Sequence, residues 1–205
     1  MNFWLETERV LLQVRASGLY PRLLLHACCA PCSARALEVL ADAFDITLYF
    51  DNPNIFPEAE HDLRRDGVFR LSEIWNREMS PARHVKVIAP VYDHARFLAA
   101  ARGLESEPEG GARCFACFDL RLRAARDYAR ENGYAWFGTT LTTGPRKSAS
   151  AINGIGARLT CGGAEFLPCD LKKKDGYLSS IRLSERFGLY RQRYCGCEMS
   201  NGGEI

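Results

Sequence analysis

No run of apolar residues in the sequence approaches the roughly 20 needed to cross a bilayer. The first residues interrupt their apolar pattern with Glu6, Glu8, Arg9 and Arg15, so no secretory leader is expected. The expected compartment is the cytoplasm, with no membrane partner. The chain also lacks a glycine-rich phosphate loop, a flavin or nicotinamide fingerprint, an internal repeat and a low-complexity tract. Use of ATP is therefore not expected. Any electrons the protein handles must come from another molecule. Histidine is scarce, at four residues.

Cysteine, by contrast, is abundant: nine in 205 residues. A reducing compartment disfavours structural disulfides, so cysteine in this quantity points to metal binding or redox catalysis. The remaining composition, 47% hydrophobic and 11% aromatic, supports a substantial core. The formal net charge of +2 hides an uneven distribution, because residues 140–195 hold ten Lys or Arg against four Asp or Glu. One face of the C-terminal third is expected to be basic.

Periodicity predicts an opening amphipathic helix over 3–17 and a turn at Gly18-Leu19-Tyr20-Pro21, followed by a short apolar run over 23–28 that reads as a buried strand. A helix over 33–40 follows directly, with Cys32 or Ser33 as its N-cap. The alternation continues with a strand over 46–50, a long charged helix over 57–79, a strand over 85–89 and a helix over 93–102. Beyond a connector over 103–111 rich in Gly, Glu and Pro come a helix over 115–131 and a strand over 135–139. Helices over 147–159 and 179–187 and an irregular cysteine-bearing loop over 189–197 complete the chain. The expected fold is α/β, a Rossmann-like (HUP/PP-loop-like) parallel sheet flanked by helices. It is expected to form one domain over 1–205, with an N-terminal helix within 1–20, a core over 22–140 and a basic segment over 141–205 that closes the site.

Seven cysteines fall into three groups: Cys28-Cys29-Ala30-Pro31-Cys32, Cys114-Phe115-Ala116-Cys117 and Cys195-Gly196-Cys197. The first lies at a strand-to-helix turn, where ligands bind in open parallel sheets. Cys114 and Cys117, three residues apart at a helix start, put both sulfurs on one side, where the helix N-terminus favours thiolates. Gly196 lets the backbone bend between its two cysteines. Seven thiols exceed the four needed by one tetrahedral zinc or one four-cysteine cluster, which suggests two adjacent centres or a catalytic thiol. Soft thiolates with almost no histidine favour iron–sulfur clusters or zinc over copper(II), nickel or hard cations. A structural zinc site is the plainer alternative, and a thioredoxin-like dithiol fits less well because the groups do not form a single pair. Cys161 and Cys169 stand apart and read as packing residues.

Six motifs occur in one order: LLHACCAPC from Leu24, NPNIFPEAE from Asn52, GARCFACFDLRL from Gly111, FGTTLTTGPRKS from Phe137, KKKDGY from Lys172 and GLYRQRYCGCEMS from Gly188. Together they resemble the cobalamin-independent epoxyqueuosine reductase family from Leu23 almost to the C-terminus. The resemblance implies two-electron deoxygenation of the epoxide of epoxyqueuosine in the wobble base of a tRNA. It also implies a [4Fe-4S] cluster, a second mononuclear metal ion (iron or zinc) and no cobalamin. The electron donor would be external, of ferredoxin or flavodoxin type. One departure is visible: Gly144-Pro145-Arg146-Lys147 stands where Ser-Pro-Tyr-Lys is expected, so a tyrosine hydroxyl is lost there while the segment stays suited to phosphate.

On this resemblance Cys114 and Cys117 are assigned to the cluster with one or two of Cys28, Cys29 and Cys32. Cys195 and Cys197 then close the site on the cluster or the second metal. His26 and Asp119 are the candidates for proton donation. The alternatives are a histidine satisfied inside its strand, and an aspartate paired with Arg123 on its own helix. RNA contacts are expected from Arg146, Lys147, Lys172, Lys173, Lys174, Arg191 and Arg193, with Tyr177, Tyr190 and Tyr194 available for stacking. Asn52-Pro53-Asn54-Ile55 follows a strand end and can reach the site, or can be a plain turn. The rival functions are an ATP-dependent tRNA sulfur transferase, disfavoured by the absent phosphate loop, and a zinc-stabilised RNA-binding module.

Overall fold

The computed structural model describes residues 1–160, 162–192 and 194–200; the expectations for Cys161 and Arg193 lie outside the described residues. Leu23, Leu24 and Leu25 in strand β1 (Arg22–His26) are all buried, because the sheet is covered on both faces and a central strand has no solvent side. Leu23 and Leu25 join Ile46 and Leu48 of β2 (Asp45–Tyr49) in one core, while Leu24 joins Phe137 of β4 (Trp136–Thr139) in the other. With β3 (Lys86–Ile88) and β5 (Glu165–Phe166), these strands form an all-parallel sheet in the order β3-β2-β1-β4-β5. That is the order of a doubly wound Rossmann-type sheet, and its reversal point lies between β1 and β4.

The flanking helices are α1 (Phe3–Ser17), α2 (Ala30–Leu40), α3 (Glu58–Glu78), α4 (His94–Ala101), α5 (Ala112–Glu131), α6 (Ala149–Leu159) and α7 (Gly176–Phe187). Among the described residues no helix is long and apolar enough to cross a membrane. Two boundaries differ from expectation in ways that matter for the site. Strand β1 ends at His26 and α2 already begins at Ala30 with Cys29 as its N-cap, since Pro31 suits the first turn of a helix. Cys32 therefore lies inside the helix and its sulfur turns back toward Cys28 and Cys29. Helix α7 starts at Gly176, after Lys174 and Asp175 adopt positive φ, three residues earlier than periodicity indicates. Strand β5 was not anticipated, because two residues carry no readable period.

Helix α6 crosses β5 closely enough that a β-carbon on Gly156 would run into the Phe166 ring, whereas one on Gly154 would meet only the Arg158 guanidinium at 3.9 Å. Both replacements gain helix propensity. Gly154→Ala should therefore stabilise the fold by about 0.5–1 kcal/mol, while Gly156→Ala should destabilise it by about 1–3 kcal/mol through overpacking. Urea unfolding of the two variants checks the opposite signs.

Candidate metal centre

The site is built at the carboxyl ends of β1 and β4. The Thr140 hydroxyl accepts from the Cys28 amide (3.0 Å) and donates to Cys28 Sγ (3.3 Å), fixing the turn after β1. The Sγ atoms of Cys28, Cys29 and Cys32 lie within 4.8 Å of one another, and those of Cys28 and Cys29 are 3.8 Å apart. Hydrogen bonding from Cys29 and Cys32 holds Cys28 well below the ordinary thiol range despite burial, with help from the Arg121 charge. The same sharing pushes Cys29 up to about 12 and Cys32 well above its ordinary value.

Arg121 on α5 is 3% exposed and forms no ion pair with a carboxylate among the described residues. Its Nε donates to His26 Nε2 (3.3 Å), one terminal nitrogen donates to Asn52 Oδ1, and the other approaches Cys117 Sγ at 3.9 Å. Asn52 in turn donates to the Ala27 carbonyl (2.9 Å). His26 is fully buried; burial, then the Arg121 charge, pushes its pKa down to about 3. Nδ1 lies 2.9 Å from Thr139 Oγ1, and Nε2 also lies 3.2 Å from the Asp51 carbonyl, so the neutral ring is held on both sides.

The C-terminal segment is clamped over this layer by four side chains, from α3, α4, α5 and the turn before α6. Arg64 of α3, paired with Glu60, donates to the carbonyls of Cys195 (3.0 Å) and Tyr194 (3.4 Å). A β-carbon at Gly196, whose φ is +100°, would press on that guanidinium at 3.0 Å. His94 of α4 bonds Glu198 (2.8 Å), and Arg113 of α5 donates to the Met199 carbonyl (3.3 Å). Lys147 Nζ lies 3.1 Å from Cys195 Sγ. Burial alone would raise the Cys195 pKa, but the ammonium brings it below its ordinary value. Burial pushes Cys117 up to about 11.

Two spaces result. A cavity of about 100 Å³ is lined by Cys28, Cys32, Cys195, Arg121, Asn54 and Gln192, among others. A much smaller one is enclosed by Cys114, Cys117, Cys195 and Cys197 with Phe97 and Phe118. Cys195, Lys147 and Arg121 border both. The seven cysteines are therefore divided into three and four, and Cys114 and Cys117 share a space with the C-terminal pair rather than with the first group. Both sets suit anionic sulfur centres. Arg113, which borders the smaller space, is 2% exposed and its Nε has no partner among the described residues. Arg121 has no carboxylate to neutralise it among the described residues.

The other expected site residues separate. Arg146 lines the larger cavity at its exposed rim. Lys147 turns inward to Cys195, and Lys172 bonds the Lys147 carbonyl (3.2 Å) and Asp170 (2.9 Å). Lys173 and Lys174 are exposed. Arg191 is pinned to Ser180 and Ser184. Asp119 pairs with Arg123, and neither it nor His26 lines either space. Cys169 is buried against Thr142 and Thr139, as a packing residue would be. Sequence reasoning missed Arg121, Arg113, Arg64 and Gln192. Arg121 was within reach, since its spacing of four from Cys117 puts both on one helix face.

These same segments are the ones that match known proteins. A family model described as "Epoxyqueuosine reductase QueH" matches residues 23–202. The epoxyqueuosine reductase QueH of Staphylococcus epidermidis is 38% identical over 200 residues, covering 96% of this chain and 83% of that protein. That of Streptococcus pyogenes serotype M1 is 39% identical, covering 86% of this chain and 69% of its own. That of Thermotoga maritima is 30% identical, with 87% and 89% covered. The match runs through all three cysteine groups and the segments that clamp them, and the chain belongs to the epoxyqueuosine reductase QueH family.

Proposed function

We propose that the protein is an epoxyqueuosine reductase acting on the wobble base of a tRNA. The observation that carries this reading is that cysteines from three distant segments line two adjoining spaces, joined at Cys195, at the reversal point of the sheet, in a chain of this family. The reaction takes an epoxide, two electrons and two protons to an alkene and water.

The sulfur geometry supports two different centres. Tetrahedral metal–sulfur bonds of about 2.3 Å place sulfurs about 3.8 Å apart, the Cys28–Cys29 separation, so the triad would hold a single iron or zinc ion. Cys114, Cys117, Cys195 and Cys197, which line one space, would supply the four thiolates of a [4Fe-4S] cluster. When bound, these groups supply single electrons and a Lewis acid for the departing oxygen.

The chain's own residues set the conditions. Arg121, Arg113 and Lys147 hold positive charge against the thiolates, and Phe97 and Phe118 exclude water from the four-cysteine space. His26, held neutral, supports Arg121 from below instead of exchanging protons. Asn54 and Gln192 stand where the edge of a base would enter the larger cavity. Arg146, Lys173 and Lys174 face phosphates. Electrons come from an external low-potential carrier of ferredoxin or flavodoxin type, and no cobalamin is needed.

Anaerobic reconstitution separates the two sets. Cys114→Ala and Cys117→Ala should lose inorganic sulfide and most iron, whereas Cys28→Ala and Cys32→Ala should keep sulfide and lose about one metal per chain. Unchanged sulfide in the first pair would contradict the assignment. RNA contact is tested by replacing Lys172, Lys173 and Lys174 together with Ala. Binding of tRNA should weaken, and the slope of log K against log salt should fall by roughly 1.5–2. An unchanged slope between 50 and 200 mM salt sinks the claim.

A further inference from the structure

We infer that a second cavity, beside the thiol triad, binds the base of a nucleotide flanking the modified one, so that the protein holds two adjacent residues of the RNA strand. This rests on the reading of the substrate as RNA.

The second cavity has a volume of about 90 Å³ and is lined by Tyr177, Ser180, Arg191, Thr143 and Pro31, among others. It shares Cys32, Gly144, Pro145 and Gln192 with the larger cavity described above. The two spaces therefore adjoin along a common wall, as sites for neighbouring nucleotides of one strand must.

The walls of the second space carry no thiolate charge pair like Lys147 with Cys195; they carry a stacking platform. Tyr177 is half-buried at the start of α7, and the Arg191 guanidinium lies 5.7 Å from its ring centre. Arg191 is held in place by the Ser180 carbonyl (3.3 Å) and the Ser184 hydroxyl (3.4 Å), so ring and guanidinium offer pre-set surfaces for a base. Polar groups are ready for the base edge. Thr143, 1% exposed, has its hydroxyl without a partner among the described residues, and so has Gln192 Oε1. A base is planar, apolar on its faces and polar at its edge, which matches this lining; a metal or a phosphate does not need an aromatic wall. The exposed Lys173 and Lys174 lie four and three residues before Tyr177, within reach of the phosphates of a strand seated there.

The test uses the holoenzyme and a labelled anticodon stem–loop RNA with guanine at the wobble position, so that affinity is read without turnover. Tyr177→Ala should bind about tenfold more weakly than wild type, and Tyr177→Phe, which keeps the ring, should bind as wild type does. An abasic site on one side of the wobble nucleotide should weaken wild-type binding by a similar factor and should weaken Tyr177→Ala no further. Iron and sulfide contents should be equal in all three proteins. Losses that simply add, or Tyr177→Ala binding as tightly as wild type, would overturn the proposal. Coupling as predicted, in a wild-type protein that leaves epoxyqueuosine in the same loop intact under a low-potential reductant, would support the pocket and overturn the reductase reading alone.

Discussion

A buried arginine with no carboxylate partner among the described residues organises this site. Removing a guanidinium from water costs several kcal/mol unless an anion compensates, yet the side-chain partners of Arg121 among those residues are an imidazole, an amide oxygen and a sulfur. It stands where both cysteine spaces meet. Its charge lowers Cys28 and bears on Cys117 and Cys195. Sulfur is thus the anionic partner within its reach, and a metal held by these cysteines would keep them deprotonated.

The fold brings this about through the reversal point of a doubly wound sheet. At that point β1 and β4 diverge in their connections and leave a crevice, which in nucleotide-binding relatives of the architecture receives phosphate. Here the turn after β1 carries three sulfurs in place of glycines, and the helix that follows starts at the cysteines themselves. The crevice is roofed by the C-terminal segment, whose backbone carbonyls are taken by Arg64 and Arg113. Because those clamps come from α3 and α5, the placement of the last two cysteines depends on helices more than 60 residues away.

Much of this was legible in the sequence, and what was not has physical reasons. The strands of the sheet centre announced themselves as apolar runs because both faces are covered, and the three cysteine groups through their close spacing in the chain. The two-residue β5 was invisible, being recognised only through its pairing with β4. The division of seven cysteines into three and four was also hidden, because it is set by how α5 lies against the C-terminal loop rather than by spacing along the chain. Lys147 misled most clearly. A lysine in a basic segment reads as a phosphate contact, but this one is folded inward onto Cys195, a partner 48 residues away. Asp119 behaved as its alternative reading allowed, pairing four residues on with Arg123.

The central claim is that an iron–sulfur centre sits against the uncompensated Arg121 charge. An electron added to a centre beside a fixed cation is stabilised by it. Redox titration of the anaerobically reconstituted protein, followed by electron paramagnetic resonance, measures this directly in wild type and in Arg121→Gln. The account predicts a low-potential one-electron couple in both, with the variant at least tenfold harder to reduce, a shift of about 59 mV downward. A colourless protein without sulfide, or a couple whose potential is indifferent to Arg121, would contradict it.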